Sequence, residues 1–165
     1  MKVAVFGLGY VGSVTAACLA AAGHDVWGVD VDTAKVGPIT EGHSPVVEPG
    51  LDDLVAEGVT GGRLHATTDP RLAVDRADVS LICVGTPSTP AGSTDLTYIK
   101  RAVRDIAEAA HVVVPPESGF HSIVIRSTVP PGTVAEVVAQ VLAEVPPPAG
   151  LTFGTAMCPE FLREG

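Results

Sequence analysis

Short apolar runs alternate with segments of helical periodicity along the whole chain. The runs "KVAVFG" (2–7), "DVWGVD" (25–30), "DVSLICVG" (78–85), "SIVIRST" (122–128) and "TFGTAM" (152–157) predict strands, and "RLHATT" (63–68) a weaker one. Several lack the alternation of a half-exposed strand, which is the pattern of strands covered on both faces. Between the later runs, Ile99, Ala102, Val103, Ile106 and Ala110 fall on one helical stripe, and Val134, Val137, Val138, Val141, Leu142 and Val145 on another. Asp95 can cap the first helix, and "PPGT" breaks the chain before the second. The stretches 86–94, 114–119 and 145–150 carry the Pro, Gly and Ser of surface turns. Strands alternating with helices predict an α/β fold: a doubly wound, mostly parallel Rossmann sheet with helices on both faces.

Length and composition narrow this further. The 165 residues suit one domain, with 46% hydrophobic residues to fill a core. A net charge of −9 argues against nucleic acid as a partner and for a small ligand. Three cysteines, Cys18, Cys83 and Cys158, show no disulfide-like spacing and suit a reducing compartment, so the expected location is cytoplasmic. Gly7, Gly9 and Gly12 interrupt what would otherwise read as a secretory signal. No apolar run approaches the ~18 residues of a membrane span.

The candidate chemistry starts at "FGLGYVG". Gly7, Gly9 and Gly12 form a GxGxxG pattern directly after a strand and at the start of an apolar helix. In that context Gly7 makes the tight turn, Gly9 admits a pyrophosphate to the backbone, and Gly12 lets helix and strand pack closely. Asp30 ends the second strand 18 residues after Gly12, where a carboxylate accepts hydrogen bonds from the ribose hydroxyls of an adenosine. Its charge favours NAD over NADP, while Lys35 leaves some tolerance for a 2′-phosphate. Asp32 reads as a turn residue or helix cap. A methyltransferase can carry the same glycines and acid, so these residues establish an adenosine-type ligand rather than a redox reaction.

Further polar residues gather after the C-terminal ends of strands, the edge at which open α/β sheets bind ligands. Thr86 and Ser88 follow "ICVG", Thr128 follows "VIRS", and Glu160 and Glu164 follow "GTAM". Turn chemistry is an equal account of Thr86 and Ser88, as is helix entry of Thr128. In "CPEFLREG", Pro159 suits the first turn of a helix that would place Glu160 and Glu164 on one face beside Arg163. Such carboxylates form a solvated ion pair or, desolvated in a crevice, serve as acid or base. Cys158 has no histidine beside it to activate it, Cys18 and Cys83 read as small core residues, and the five histidines show no metal-ligand spacing.

Taken together, "FGLGYVG", "GVDVD", "SPVVEPGL", "ICVGTPS", "DLTYI", "RSTVPPGT" and "PEFLREG" occur in an order and spacing that resembles the N-terminal NAD-binding domain of the UDP-glucose/GDP-mannose dehydrogenase family, across residues 1–165. "GHSPVVEPGL" and "VSLICVGTPS" are most similar to the GDP-mannose 6-dehydrogenases within it. The resemblance implies an enzyme that oxidises the C6 alcohol of GDP-mannose or UDP-glucose to a carboxylate in two NAD-dependent steps, through a thioester on a cysteine. It places Gly7, Gly9, Tyr10, Val11, Gly12, Asp30, Lys35, Thr86 and Thr128 at cofactor-contacting positions. It also implies that Thr128 and Glu160 lie beside the reacting carbon, Glu160 assisting proton transfer in thioester hydrolysis, and that Glu164 contacts cofactor or substrate. No metal is implied, and the full-length family enzyme is expected to be a homo-oligomer.

Two departures accompany the resemblance: Cys158 stands where the family usually has Asn, and Gly37 and Pro38 fall where a regular helix is expected. The family's central helix, its substrate-positioning lysine and asparagine, and its nucleophilic cysteine loop have no counterpart in this chain. The expectation is therefore an NAD-binding domain that does not turn over by itself. A free-standing NAD-binding or sensing module is the rival reading. A hydroxyacid dehydrogenase domain is a weaker third, disfavoured by "SPVVEPGL" and "PEFLREG".

Overall fold

The computed structural model of the chain describes residues 1–161. Six strands, β1 (Lys2–Phe6), β2 (Asp25–Val29), β3 (Leu64–Thr67), β4 (Val79–Ile82), β5 (Phe120–Ile125) and β6 (Thr152–Met157), form one sheet in the order β3-β2-β1-β4-β5-β6. Every pairing is parallel, with Val3 opposite both Val26 and Val79, and Val79 opposite Ser122. The uninterrupted apolar sequence of β1 follows from its place at the centre, with Val3, Ala4, Val5 and Phe6 all buried.

Helices cover both faces. On one, α1 (Tyr10–Ala21) and α3 (Leu51–Thr60) pack over Val3, Val5, Val26 and Leu64. On the other, α4 (Pro70–Val74), α5 (Thr97–Ala109) and α6 (Ala139–Glu144) pack over Ala4, Phe6, Ile82, Ile123 and Ile125. The buried face of α1 is Gly12, Ser13, Ala16, Ala17 and Ala20, and such small residues let the helix lie close to the sheet. In α5, Ile99, Ala102, Val103 and Ile106 are buried as their spacing predicts, and Asp95 accepts a hydrogen bond from the Thr97 N–H at 2.9 Å.

Several boundaries differ from the sequence expectation. Strand β5 begins two residues earlier and ends three earlier than 122–128. The N–H groups of Arg126 and Ser127 both turn to the Ile82 carbonyl, at 2.9 and 3.0 Å, so the ladder cannot continue. The stripe from Val134 to Val145 is not one regular helix: a π-helical turn spans Val134–Val138 before α6 begins. Gly37 and Pro38 do not interrupt α2 (Thr33–Thr40), which passes through both. Only one helical bond, to the Ala34 carbonyl, is missing from so short a helix. Helices α3 and α4 have no counterpart in the predicted pattern. Asp52 and Asp53 in the first turn favour α3, and Asp69 caps α4 ahead of Pro70. Cys18, expected in the core, is exposed, because it lies on the outward side of α1.

The chain runs from β1 outward through β2 and β3, then crosses beneath the sheet through α4 to β4 on the other side of β1. The C-terminal ends of β1 and β4 therefore border the crevice where the winding direction reverses, the ordinary ligand position in open α/β sheets.

Candidate functional site

The crevice is built on Gly7, Leu8 and Gly9. Gly7 has a φ of +96°, which suits glycine, and a Cβ there would lie 2.8 Å from the Cys83 carbonyl oxygen. Leu8 is fully buried under Gly28, and its N–H donates to the Asp30 carboxylate at 2.8 Å. Gly9 is the N-cap of α1, in extended backbone, and a Cβ built there would meet nothing within 4 Å. Gly12 is the opposite case: its Cβ would stand 1.7 Å from the Gly7 carbonyl oxygen. The first-turn N–H groups of α1 have no carbonyl of their own helix above them and carry the positive end of its dipole.

Asp30 is buried and tied to three donors. Its oxygens accept from Leu8 N–H, from Asp32 N–H at 3.0 Å and from the Lys35 ammonium at 3.1 Å. Burial alone would push this carboxyl up, yet the bonds from Asp32, Leu8 and Lys35 outweigh it and hold the group below its ordinary value. Asp32 caps α2, accepting from the Ala34 N–H at 2.9 Å. Gly7, Gly9, Asp30 and Lys35 share the wall of a 640 Å³ cavity that extends to Val84 and Gly85 and to Pro70, Tyr98, Arg101 and Asp105. Tyr10 and Val11 open α1 beside it, and the Tyr10 hydroxyl donates to the Glu48 carboxylate at 2.8 Å.

On the other side of β1, the loops after β4 and β5 meet. The Thr86 hydroxyl donates to the Thr128 carbonyl at 2.9 Å, and the Thr128 side chain is exposed. Ser88 bridges to Thr94 in a small antiparallel turn, and turn chemistry accounts for it. Glu160 sits beyond β6, where its carboxylate forms an ion pair with the Arg126 guanidinium and its N–H donates to the Arg126 carbonyl at 3.2 Å. Residues 158–161 are not helical, so Pro159 begins no helix there. Arg163 and Glu164 lie outside the described residues.

Sequence reasoning missed Arg126 and Glu48. An arginine at the end of an apolar strand, in "VIRST", and a glutamate before "PGL" were signals of a kind, but their partners lie 34 and 38 residues away. Cys83 is nearly buried beneath the cavity, and burial pushes its thiol up to about 12 although the Arg126 charge opposes this. Among the described residues no group of His, Cys, Asp and Glu is arranged to hold a metal ion. No helix among them is long and apolar enough to cross a membrane.

Residues 1–165 match the profile of the UDP-glucose/GDP-mannose dehydrogenase family, NAD binding domain. The chain belongs to that family. It is 48% identical over 165 residues to a GDP-mannose 6-dehydrogenase of Pseudomonas savastanoi pv. phaseolicola, covering 99% of this chain and 37% of the relative. A UDP-glucose 6-dehydrogenase of Rhizobium meliloti is 45% identical over 166 residues, covering 100% of this chain and 36% of the relative. A ternary complex of GDP-mannose dehydrogenase from Pseudomonas aeruginosa superposes with a TM-score of 0.90 at 49% identity, over 99% of this chain and 37% of that one. The chain thus spans little more than a third of the length of the relatives it matches. Its cofactor is the family's, NAD, and the cradle fits one: Gly9 leaves open the volume a Cβ would take, and Asp30 keeps its charge while buried.

Proposed function

We propose that this chain is the cofactor-binding part of a longer nucleotide-sugar 6-dehydrogenase, which oxidises the C6 alcohol of its substrate to a carboxylate in two NAD-dependent steps. GDP-mannose is the favoured substrate and UDP-glucose the second choice, following the order of identity among the relatives. What carries the reading is the placement of two sets of residues on one sheet edge: the Gly9 and Asp30 cradle on one side of β1, and Thr86, Thr128 and the Arg126–Glu160 pair on the other.

In this reading Gly7, Gly9, Tyr10, Val11 and Gly12 hold the pyrophosphate against the start of α1, and Asp30 with Lys35 holds the adenosine ribose. Thr86 and Thr128 border the nicotinamide end, and Glu164 contacts cofactor or substrate. NAD supplies the acceptor for the hydride removed from the sugar carbon. Glu160, beside that carbon with Thr128, takes a proton from the water that hydrolyses the thioester. The nucleophilic cysteine belongs to a part of the enzyme outside these residues, so residues 1–165 bind NAD without oxidising a nucleotide sugar. The enzyme acts in the cytoplasm as a homo-oligomer, with neither nucleic acid nor membrane as a partner.

Calorimetric titration with NAD and NADP, run beside an NADH absorbance assay with GDP-mannose and UDP-glucose, tests this. The expected outcome is NAD binding with no turnover by residues 1–165, and turnover once the chain is extended to the relatives' length. Sustained oxidation by residues 1–165 would overturn the division of the site, and an inert extended chain would favour a binding module without catalysis.

A further inference from the structure

The cavity at the sheet edge continues past Gly9 and Asp30 to a wall made by α4 and α5, where Pro70, Tyr98, Arg101 and Asp105 line it with Val31. A dinucleotide lying along this edge has a fixed direction. Asp30 follows β2 and Thr128 follows β5, on opposite sides of β1, with the start of α1 between them. The adenosine half therefore lies on the Asp30 side, and its base reaches the wall of α4 and α5.

The carboxylates on that side differ in what they have left to offer. Asp30 is committed to Leu8, Asp32 and Lys35. Asp69 is committed to Arg71, whose side chain donates to it at 2.7 to 3.1 Å and whose N–H donates at 3.0 Å. Asp105, with 32% of its side chain exposed, has Arg101 at 3.9 Å, beyond hydrogen-bond length, and among the described residues it accepts no hydrogen bond. A partly desolvated carboxylate without a donor is costly unless a ligand supplies one. Burial pushes this carboxyl above its ordinary value, the Arg101 charge opposes the shift and Glu108 adds to it. Tyr98, two turns away on α5, is a half-exposed aromatic ring in the same wall.

We propose that Asp105 reads the adenine base of the bound dinucleotide, its carboxylate accepting a hydrogen bond from the exocyclic 6-amine while Tyr98 offers its ring face to the purine. The assignment rests on NAD occupying this cavity. A purine with a carbonyl at position 6 would bring an oxygen against the carboxylate and lose the amine's bond, and the N1–H it gains stands one ring atom away from the amine's place. The cavity is thereby selective for an adenine dinucleotide over its deaminated analogue, a distinction that the glycines and Asp30 cannot make, because they face only pyrophosphate and ribose.

The test is calorimetric titration of the chain with NAD and with nicotinamide hypoxanthine dinucleotide, which differ in the 6-amine, replaced by a carbonyl, and in the proton that N1 then carries. The unmodified protein should bind NAD about tenfold more tightly. Asp105→Asn, whose amide presents either an acceptor or a donor, should bring the two within about twofold. Asp105→Ala should weaken NAD about tenfold while changing the hypoxanthine dinucleotide little. Tyr98→Ala should weaken both about equally, since stacking does not depend on the group at position 6. Equal affinities in the unmodified protein, or an affinity ratio that neither Asp105 variant changes while NAD still binds, would overturn the assignment and leave the cofactor reading intact. Failure of the unmodified protein to bind NAD at all would overturn both.

Discussion

Arg126 and Glu160 form an ion pair between the loops that follow β5 and β6, with side chains only 21% and 18% exposed. The Arg126 guanidinium also donates to the Cys158 sulfur at 3.6 Å. One cation thus fastens the segment after β6 to the sheet edge. Removing one partner leaves the other poorly solvated, so Arg126→Met should cost about 1–3 kcal/mol, less than a fully buried pair would lose. Urea unfolding of Arg126→Met, Glu160→Gln and the double variant checks this. The double variant should lose clearly less than the sum of the singles, and additivity within about 0.5 kcal/mol would show that the pair is not coupled.

Gly9 and Gly12 carry the same fingerprint but should fail differently. Gly9→Ala meets no protein atom within 4 Å, so circular dichroism and thermal midpoint should hardly change while NAD affinity falls at least tenfold. Gly12→Ala sets a methyl 1.7 Å from the Gly7 carbonyl and should lower stability as well. Unchanged NAD affinity in a folded Gly9→Ala variant would reduce the fingerprint to a turn.

Asp30→Ala has two expected effects. It removes the charge that opposes a 2′-phosphate, so the preference for NAD over NADP should narrow in calorimetric titration. It also leaves the buried Leu8 N–H without its acceptor, costing about 1–3 kcal/mol in denaturant unfolding. Asp30→Asn should recover part of the second effect, since its carbonyl can still accept.

Acid should weaken the fold in two stages. His121 is buried, its ring nitrogens bonded to the Ala77 carbonyl at 2.7 Å and the Ser80 hydroxyl at 2.9 Å, and burial holds it below its ordinary value although the bond to Ala77 opposes this. The unfolded chain takes up a proton near pH ~6.5 that the native His121 refuses, so stability falls as pH drops from there toward the lowered native value. Asp30, also depressed in the native state, stabilises fully above its unfolded value of ~3.9 and loses that contribution as pH falls through the native one. Thermal midpoints measured against pH should show the first limb, and His121→Gln should abolish it.

Thiol labelling should separate the cysteines. Cys18 and Cys158 are exposed, while Cys83 is held up to about 12 by burial, so at pH ~8 two thiols should react quickly and the third only on unfolding. Fast reaction of all three in the folded protein would contradict the packing of Cys83 beneath the cavity.

The local order along the chain determined much of this protein. A strand, three spaced glycines, an apolar helix and then a strand ending in Asp30 specify a dinucleotide cradle, because each part acts on its neighbours within some thirty residues. The alternation of apolar runs and helical stripes determined the parallel sheet, since strands buried on both faces admit little else. What the tertiary structure decided are the partnerships that no spacing encodes. Glu160 pairs with Arg126, 34 residues away, Tyr10 bonds to Glu48, Thr86 reaches Thr128, and Cys18 faces solvent while Cys83 is mostly covered. Two of these follow from which strands become neighbours: β5 beside β6 brings Arg126 to Glu160, and β4 beside β5 brings Thr86 to Thr128. Hydrophobic periodicity says which face of a segment is buried, but not against which other segment. Side-chain charges and hydroxyls find their partners only after the packing of the sheet has placed them together.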